Sequence, residues 1–255
     1  MNDSKLIREG RFGPPKAFKT GAVVGTYPKP MLVLNFDAGG LDVLQVPVVY
    51  IEPTQLKEYG LKPKAQLPPI LAVNFWDKGI VPLNAMFGTY GSPVAYNTFV
   101  DCVNIIGASC PWTTVVVDPL TALVEKALGQ LAISNSKSLE DARKWAPFIG
   151  TKVFQAAQSI CTLPCHTVCI MHSDIEKDEL TGLVGTYPII PSKLRAVIGK
   201  LFSQYFYATM EGGKPMVYTT DRGYVKGIGA RWPHGLPPVC GPTFREIYGT
   251  TIGNE

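Results

Sequence analysis

Four strand-like segments, each followed by a glycine or a polar residue, constrain the fold of this chain most strongly. Three of them are apolar at successive positions, which is typical of strands that are buried on both faces of a parallel sheet. The expected strands are residues 5–12, which form a weak one, 31–36, 113–117 and 167–171. Helical periodicity between them favours an α/β fold, with a mainly parallel central sheet that is flanked by helices.

The helices and the tail can be placed from the same patterns. We expect helices over residues 19–25, 120–131, 142–160 and 191–206. Pro147 should break the third helix, and Ser192 should cap the fourth. Residues 216–228 are typical of an antiparallel hairpin that turns at 221–223. We interpret residues 1–255 as one domain, with a possible Pro-rich insertion around 46–100.

Composition and charge limit the class of protein. Hydrophobic residues make up 46% of the chain and charged residues 17%, which supports a packed core. A net charge of +4 permits nucleic-acid binding without arguing strongly for it. The sequence has no apolar run of about 18 residues and begins with a polar segment, so we expect no membrane partner and no secretory signal. We therefore expect a cytoplasmic protein with six reduced cysteines.

The segment GPPKAFKT follows the first strand and carries the main functional signal. It matches the P-loop pattern G-x-x-x-x-G-K-[ST] at Gly13, Lys19 and Thr20. Backbone N–H groups of such a loop and the following helix N-terminus attract phosphates, Lys19 would reach the β- and γ-phosphates, and Thr20 would bind Mg²⁺. The residues expected to contact the nucleotide are Gly13, Pro14, Pro15, Lys16, Ala17, Phe18, Lys19, Thr20 and Gly21.

Phe18 departs from the P-loop pattern, which has glycine at this position. That glycine often has a positive φ, which a bulky residue adopts only with strain. The loop could therefore relax and still bind a nucleotide, or it could be a degenerate P-loop that binds weakly.

Polar residues after the other strands complete the predicted site, because ligands of open α/β sheets bind at the carboxyl ends of the strands. Asp118 follows an apolar strand in the Walker B arrangement and would position Mg²⁺ together with Thr20. Asp37 is the candidate base that polarises the attacking water, and His172 is the candidate sensor of the γ-phosphate. Asp37 could instead be a turn residue, and Asp118 could cap the next helix.

The order of these segments resembles the phage-encoded AAA-type, RecA-like P-loop nucleotide-binding family, which includes single-strand annealing and recombination proteins. The resemblance covers roughly residues 6–248. It implies ATP, Mg²⁺, single-stranded DNA and self-assembly into a ring or filament. Lys19 and Thr20 match its phosphate and magnesium residues, and Asp118 matches its Walker B residue. Asp37 stands where the family usually has a catalytic Glu, and His172 matches its polar sensor.

The resemblance predicts a slow, DNA-stimulated ATPase that acts in single-stranded DNA annealing or recombination, in the host cytoplasm if a phage encodes it. One alternative is a DNA-binding scaffold with a degenerate P-loop and no hydrolysis. Another is a helicase-loader or motor ATPase.

Basic residues in the second half of the chain are candidates for further contacts. Lys193, Arg195 and Lys200 could contact DNA, or they could form a solvated helix face. Lys226 and Arg231 could reach the γ-phosphate of a neighbouring subunit as trans fingers, or they could serve solubility alone. The Cys and His residues over 165–172 have the wrong spacing for a compact metal site, so we expect no zinc.

Overall fold

The computed structural model describes residues 6–37, 39–42, 44–76, 78–84, 88–92, 94–134, 142–177, 182, 184–231 and 235–249. Within these ranges, no helix combines the length and the hydropathy that a membrane span needs. Lys5, at the start of the first predicted strand, lies outside them.

The structure contains the four predicted strands and further strands and helices that were not predicted from the sequence, mainly between residues 49 and 108. The strands are β1 Arg8–Gly13, β2 Met31–Asn35, β3 Val49–Ile51, β4 Ile70–Asn74, β5 Lys78–Asn84, β6 Gly88–Ser92, β7 Thr114–Asp118, β8 His166–Lys177, β9 Val184–Pro188, β10 Gln204–Glu211, β11 Lys214–Tyr218, β12 Gly229–Ala230 and β13 Val239–Cys240. The helices are α1 Lys19–Thr26, α2 Leu56–Gly60, α3 Ala95–Ala108, α4 Leu120–Ser134, α5 Ala142–Cys161, α6 Ser192–Ile198 and α7 Phe244–Tyr248. Short 3-10 turns cover Pro53–Gln55, Lys64–Gln66 and Gly199–Leu201.

An eleven-stranded sheet forms the centre of the molecule, in the order β13-β11-β10-β1-β8-β7-β2-β4-β3. The strands from β10 to β3 in this order are parallel to one another. β11, β12 and β13 add antiparallel pairs at one edge, and β9 pairs antiparallel with β8. β5 and β6 form a separate two-stranded sheet. The predicted α/β class, with a mainly parallel sheet, flanking helices and a C-terminal antiparallel hairpin, is confirmed.

Both faces of the sheet are buried, which explains the unbroken apolar runs. In β7, Val115 and Val117 pack into the core on one face, together with residues of α3, α4 and α5. Val116 packs into the core on the other face, which contains residues of α1 and α7. A strand that is covered on both sides has no polar face, so its sequence does not alternate.

The predicted helix over residues 191–206 is too long, and its predicted cap is wrong. The helix expected over residues 191–206 ends at Ile198, and residues from Gln204 onward form β10 beside β1. Ser192 does not cap α6, because the capping position is Pro191 and no side chain accepts a hydrogen bond there. The aromatic residues at 205–207 suit either a helix or a strand, and pairing with β1 decides between them.

The C-terminal hairpin exists, but its turn lies elsewhere. β10 and β11 pair with Glu211 opposite Lys214, so the turn falls at Gly212 and Gly213. Both glycines have positive φ, 55° and 78°, which a tight hairpin turn requires. The predicted turn at residues 221–223 contains an isolated bridge from Arg222 to Val225 instead.

Two further boundaries differ from the prediction. Pro147 does not break α5, which runs continuously from Ala142 to Cys161. His172 does not end its strand, because β8 continues to Lys177 and pairs there with β9. Polar residues dominate this extension, so the apolar pattern ends before the strand does.

Candidate nucleotide-binding site

The loop after β1 leads directly into α1, which is the strand–loop–helix arrangement of a P-loop. Gly13 closes β1 at a point where the neighbouring strand β10 comes very near. A Cβ atom on residue 13 would lie 2.0 Å from the carbonyl oxygen of Ala208. The first glycine of the pattern is therefore required by the close approach of two backbones.

Phe18 adopts the conformation that a glycine would have at this position. Its φ is 57° and its ψ is 22°, which is the left-handed region, and Lys16 also has a positive φ of 62°. The Phe18 side chain is 53% exposed, and its ring lies over Gly21, where a Cβ atom would approach it to 2.7 Å. The loop thus keeps a glycine-like backbone at residue 18 and accepts the strain.

Lys19 is the first residue of α1 and points back into the loop. Its ammonium group donates hydrogen bonds to the carbonyl oxygens of Gly13 at 2.9 Å and Pro14 at 2.6 Å. Only 5% of the residue is exposed, and burial lowers the pKa of Lys19 to about 8, while the nearby Asp118 opposes this shift. The loop therefore encloses a desolvated positive charge, which suits the binding of an anion.

Thr20 and Asp118 lie side by side although 98 positions separate them in the chain. The Thr20 hydroxyl donates a hydrogen bond of 2.6 Å to Oδ2 of Asp118, at the carboxyl end of β7. Asp118 is buried, and burial raises its pKa to about 6, with Asp37 adding to the increase and Lys19 opposing it. A hydroxyl and a carboxylate at this spacing are the oxygen ligands that Mg²⁺ prefers.

Asp37 and His172 lie at the same end of the sheet. Both line a cavity of about 240 Å³ beside the start of α4. The exposed Asp37 is held at its backbone by Asn35, which accepts from its N–H and donates to its carbonyl oxygen. His172 pairs with Gly13 across the sheet, so it is level with the start of the loop.

The imidazole of His172 is partly buried, and burial together with Lys19 lowers its pKa, while Asp37 opposes the shift. Its Nδ1 atom has no hydrogen-bond partner among the residues that the structure describes. A neutral imidazole with an unused ring nitrogen can donate to or accept from a bound group.

Two polar features of this site are not evident from the sequence. Glu125 lines the same cavity as Asp37 and His172, one turn along α4 from Thr121, so it adds a second carboxylate. Its position seven residues after Asp118 on a helix that starts at the strand end is the signal that could have found it. In addition, the side-chain amide of Asn35 donates to Oδ1 of Asn74 at 2.7 Å, which joins the ends of β2 and β4.

The basic residues named from the sequence are separated by the fold. Arg195, Lys200, Lys226 and Arg231 line one groove, between β9, α6 and residues 223–231. Lys193 lines a different and largely apolar groove between α5 and α6.

The Cys and His residues over 165–172 do not come together. His166 begins β8 and accepts a hydrogen bond from the backbone N–H of Ile7, whereas His172 lies six residues farther along the strand. Six residues of extended strand span about 20 Å, so one metal ion cannot contact both imidazoles.

The comparisons with known proteins found similar solved structures but no similar sequences. No family model and no curated protein matches this chain. One solved structure that aligns with it is a prototypical ATPase from the type III secretion system of pathogenic bacteria, with 12% sequence identity and a TM-score of 0.42. That alignment covers 81% of this chain and 54% of the ATPase, so this chain spans about half of its length. Another is the RadB recombinase, with 11% identity, a TM-score of 0.41, and 87% and 84% of the two chains covered. Likeness at this level leaves the functional argument to the geometry of the site.

Proposed function

We propose that this chain binds ATP and Mg²⁺ at residues 13–21 and hydrolyses ATP slowly. The observation that carries the proposal is the meeting of three side chains at one end of the sheet. Lys19 lies buried inside the loop, and the Thr20 hydroxyl lies 2.6 Å from the Asp118 carboxylate. A phosphate-binding cation and a pair of magnesium ligands are the parts that a P-loop nucleotide site needs.

The residues present fit both ATP and Mg²⁺. Mg²⁺ would neutralise charge on the phosphate oxygens, and Thr20 and Asp118 are the side chains that would hold it. The ammonium group of Lys19 would exchange its hydrogen bonds to the Gly13 and Pro14 carbonyls for phosphate oxygens. The N-terminus of α1 adds the partial positive charge of its unpaired N–H groups.

The side chains around the cavity of about 240 Å³ suit the handling of a water molecule. The carboxylate of Asp37 is exposed there and would accept a proton from the attacking water. His172 would contact the terminal phosphate through its ring, in the role of a sensor. Glu125 faces the same cavity and is a second candidate for the base.

A scaffold that binds DNA without turnover is the second candidate function. The left-handed Phe18 favours it, because a bulky, strained residue stands where the pattern has glycine. In that case the protein would bind single-stranded DNA to the same extent with and without ATP.

Assembly and DNA are further parts of the proposal. We propose that ATP binding drives self-assembly into a ring or filament on single-stranded DNA, in annealing or recombination of the kind that phages carry out. Lys226 and Arg231 remain candidates for trans fingers in such an assembly, since both residues are exposed in this single chain.

The experiment is a measurement of ATP turnover with Mg²⁺, with and without single-stranded DNA. We expect wild type to hydrolyse ATP faster when DNA is present, and Lys19→Ala to lose at least about 100-fold in turnover. Lys57→Ala, which changes an exposed lysine of α2, is the control and should match wild type. Turnover in Lys19→Ala equal to wild type would overturn the assignment of the loop. ATP binding without turnover in wild type would favour the scaffold.

A further inference from the structure

A second concave surface lies between β9, α6 and residues 223–231. It is a groove of about 1000 Å³, which we call the basic groove. Its floor includes Phe12 and Tyr205, which belong to the core on the face opposite α1. Its basic lining residues are Lys177, Arg195, Lys200, Lys226 and Arg231. They come from three segments of the chain: the end of β8, α6 with the turn that follows it, and residues 226–231.

The charge of the basic groove is strongly one-sided among its described lining residues. Five of them are basic, and Glu176 is the one acidic residue. Glu176 already forms an ion pair of 2.6 Å with Arg195. The lysines at 177, 200 and 226 are exposed along the walls, so the groove presents positive charge along its length and not at one point.

Two buried hydroxyl groups on the lining of the basic groove provide an independent sign of a ligand. Tyr205 is 7% exposed and Thr186 is 1% exposed. Within the described part of the chain, neither hydroxyl has a hydrogen-bond partner. The Tyr205 ring is fixed between Phe12, with ring centroids 5.1 Å apart, and Phe202, at 5.8 Å. Buried hydroxyls normally have partners, so these two suit a ligand that carries oxygen acceptors.

Two tyrosine rings lie at the rim of the basic groove. Tyr187 is 40% exposed and Tyr224 is 52% exposed, so both rings are accessible to a ligand. The guanidinium group of Arg195 lies 5.5 Å from the centre of the Tyr187 ring, which fixes the orientation of both side chains. The backbone N–H of Thr186 donates to the carbonyl oxygen of Tyr224, so the strand and the loop that carry the two rings are joined.

We propose that the basic groove binds a single-stranded polynucleotide. Phosphates would lie along Lys177 and Lys200, bases would stack on Tyr187 and Tyr224, and the hydroxyl of Tyr205 would donate to an oxygen of the strand. A positive groove with interleaved aromatic rings is the usual means of holding single strands without reading their sequence. The inference rests on the proposed function in one respect, since it gives the single-stranded DNA a place on the molecule.

Other anionic ligands fit the basic groove less well. An acidic peptide would use the lysines but would gain little from exposed, flat rings. A single nucleotide would fill only part of a groove whose volume is at the upper end for small-molecule pockets, about 300–1,000 Å³.

The first test compares two charge reversals on one short segment. Lys200→Glu changes the basic groove, whereas Lys193→Glu, the matched control on α6, changes a lysine that lines the apolar groove. The Kd of labelled oligo(dT), about 20 nucleotides long, would be measured by fluorescence anisotropy at several salt concentrations. We expect Lys200→Glu to raise the Kd at least about 10-fold and to reduce the salt slope by about one. Lys193→Glu should stay within about 2-fold of wild type.

The second test removes single hydroxyl groups or one ring. Tyr205→Phe and Thr186→Val keep the shape of the floor, so they should fold like wild type while binding oligo(dT) about 3- to 10-fold more weakly. Tyr224→Ala should weaken binding by a similar factor through lost stacking. The Kd of oligo(U), measured in the same way, shows whether the groove prefers RNA or DNA. Unchanged binding in all three variants would overturn the placement of the strand.

Nucleotide binding is measured separately in each variant, so that failures of the two proposals are distinguishable. If wild type binds ATP but no oligonucleotide, with or without ATP, the groove inference is wrong and the P-loop assignment stands. If oligonucleotide binding depends on Lys200 in a protein that does not bind ATP, the groove inference stands and the P-loop assignment is wrong. An equal loss of oligonucleotide affinity in Lys193→Glu and Lys200→Glu would show that the protein responds to charge alone and would overturn the inference. Polyglutamate that displaces the oligonucleotide as well as an unlabelled oligonucleotide of the same charge would overturn it too.

Discussion

Phe18 is a bulky residue that has the left-handed backbone conformation expected of a glycine. Its φ of 57° lies in the region that L-residues other than Asn and Asp seldom adopt. The conformation costs about 1–2 kcal/mol for a residue with a Cβ atom. The sequence alone left open which backbone conformation Phe18 adopts, and in the structure it has the positive φ expected of the glycine in the pattern.

A pair of substitutions tests the strain at Phe18. Phe18→Asn should be more stable than Phe18→Val by about 1 kcal/mol or more, because asparagine tolerates the left-handed region and β-branched residues do not. The measurement is the free energy of unfolding in urea for both variants. Equal stability of the two would mean that residue 18 is not held at positive φ in solution.

His166 predicts a pH dependence of stability. Its Nδ1 atom accepts from the backbone N–H of Ile7 at 3.1 Å, and burial, aided by Arg8 and Lys64, lowers its pKa from 6.5 to about 4. Because the folded pKa lies below the unfolded one, this stabilisation is fully present above pH 6.5 and is lost as the pH falls through about 4.

We expect wild type to lose up to about 3 kcal/mol through His166 across this window. His166→Gln keeps a hydrogen-bond acceptor and cannot be protonated there, so its stability should fall less between about pH 7 and about pH 4.5. The comparison removes the contribution of carboxylates that both proteins share. Parallel stability curves for the two proteins would contradict the assignment.

At the scale of elements, a buried polar cluster joins β1 to the end of α1 and to α7. Glu9 and Arg11 of β1 are fully buried and form an ion pair of 2.6 Å. Arg11 also donates to the hydroxyl of Tyr27 at 2.6 Å and to the carbonyl oxygen of Pro242 at 2.9 Å. The Tyr248 hydroxyl of α7 donates to Glu9 at 2.6 Å. The cluster therefore fixes the C-terminal segment against the strand that carries the loop.

We expect substitutions of Glu9 and Arg11 to change the free energy of unfolding in a strongly non-additive way. Arg11→Met should lower the free energy of unfolding by about 3–5 kcal/mol, because it leaves the Glu9 carboxylate buried without its cation. The double variant Glu9→Met, Arg11→Met should regain part of that loss, since neither charge is then buried. A double-mutant cycle from urea unfolding measures the coupling, and additive losses would contradict it.

The elements were predicted best where burial on both faces dominates the sequence. β2 and β7 were placed to within a residue, because an apolar run of about five residues that ends in a polar residue is too short for a buried helix. The start of β10 was mistaken for the end of a helix. Its aromatic residues at 205–207 fit the periodicity of a helix as well as that of a strand, and its partner β1 lies far away in the chain. The hairpin turn was misplaced because two glycine-containing turn signals compete, and only pairing of β10 with β11 selects the first.

At the scale of the whole molecule, parallel topology brings the predicted strand-end residues to one edge. The sequence anticipated that Thr20, Asp118 and Asp37 would lie near one another, because carboxyl ends of parallel strands share an edge. It did not anticipate Glu125, which depends on how α4 lies against that edge. The basic groove was also beyond the sequence, since its walls come from β9, α6 and a late loop that only the fold assembles.

The central claim is that residues 13–21 form a working nucleotide site in spite of Phe18. Equilibrium binding of ATP in the presence of Mg²⁺, measured by calorimetry on wild type and Lys19→Ala, tests it most directly, with Lys57→Ala as the control. The structure predicts saturable binding of one ATP per chain by wild type and Lys57→Ala, and a loss of at least about 100-fold in affinity for Lys19→Ala. Equal affinity in wild type and Lys19→Ala, or no binding by wild type, would contradict the account.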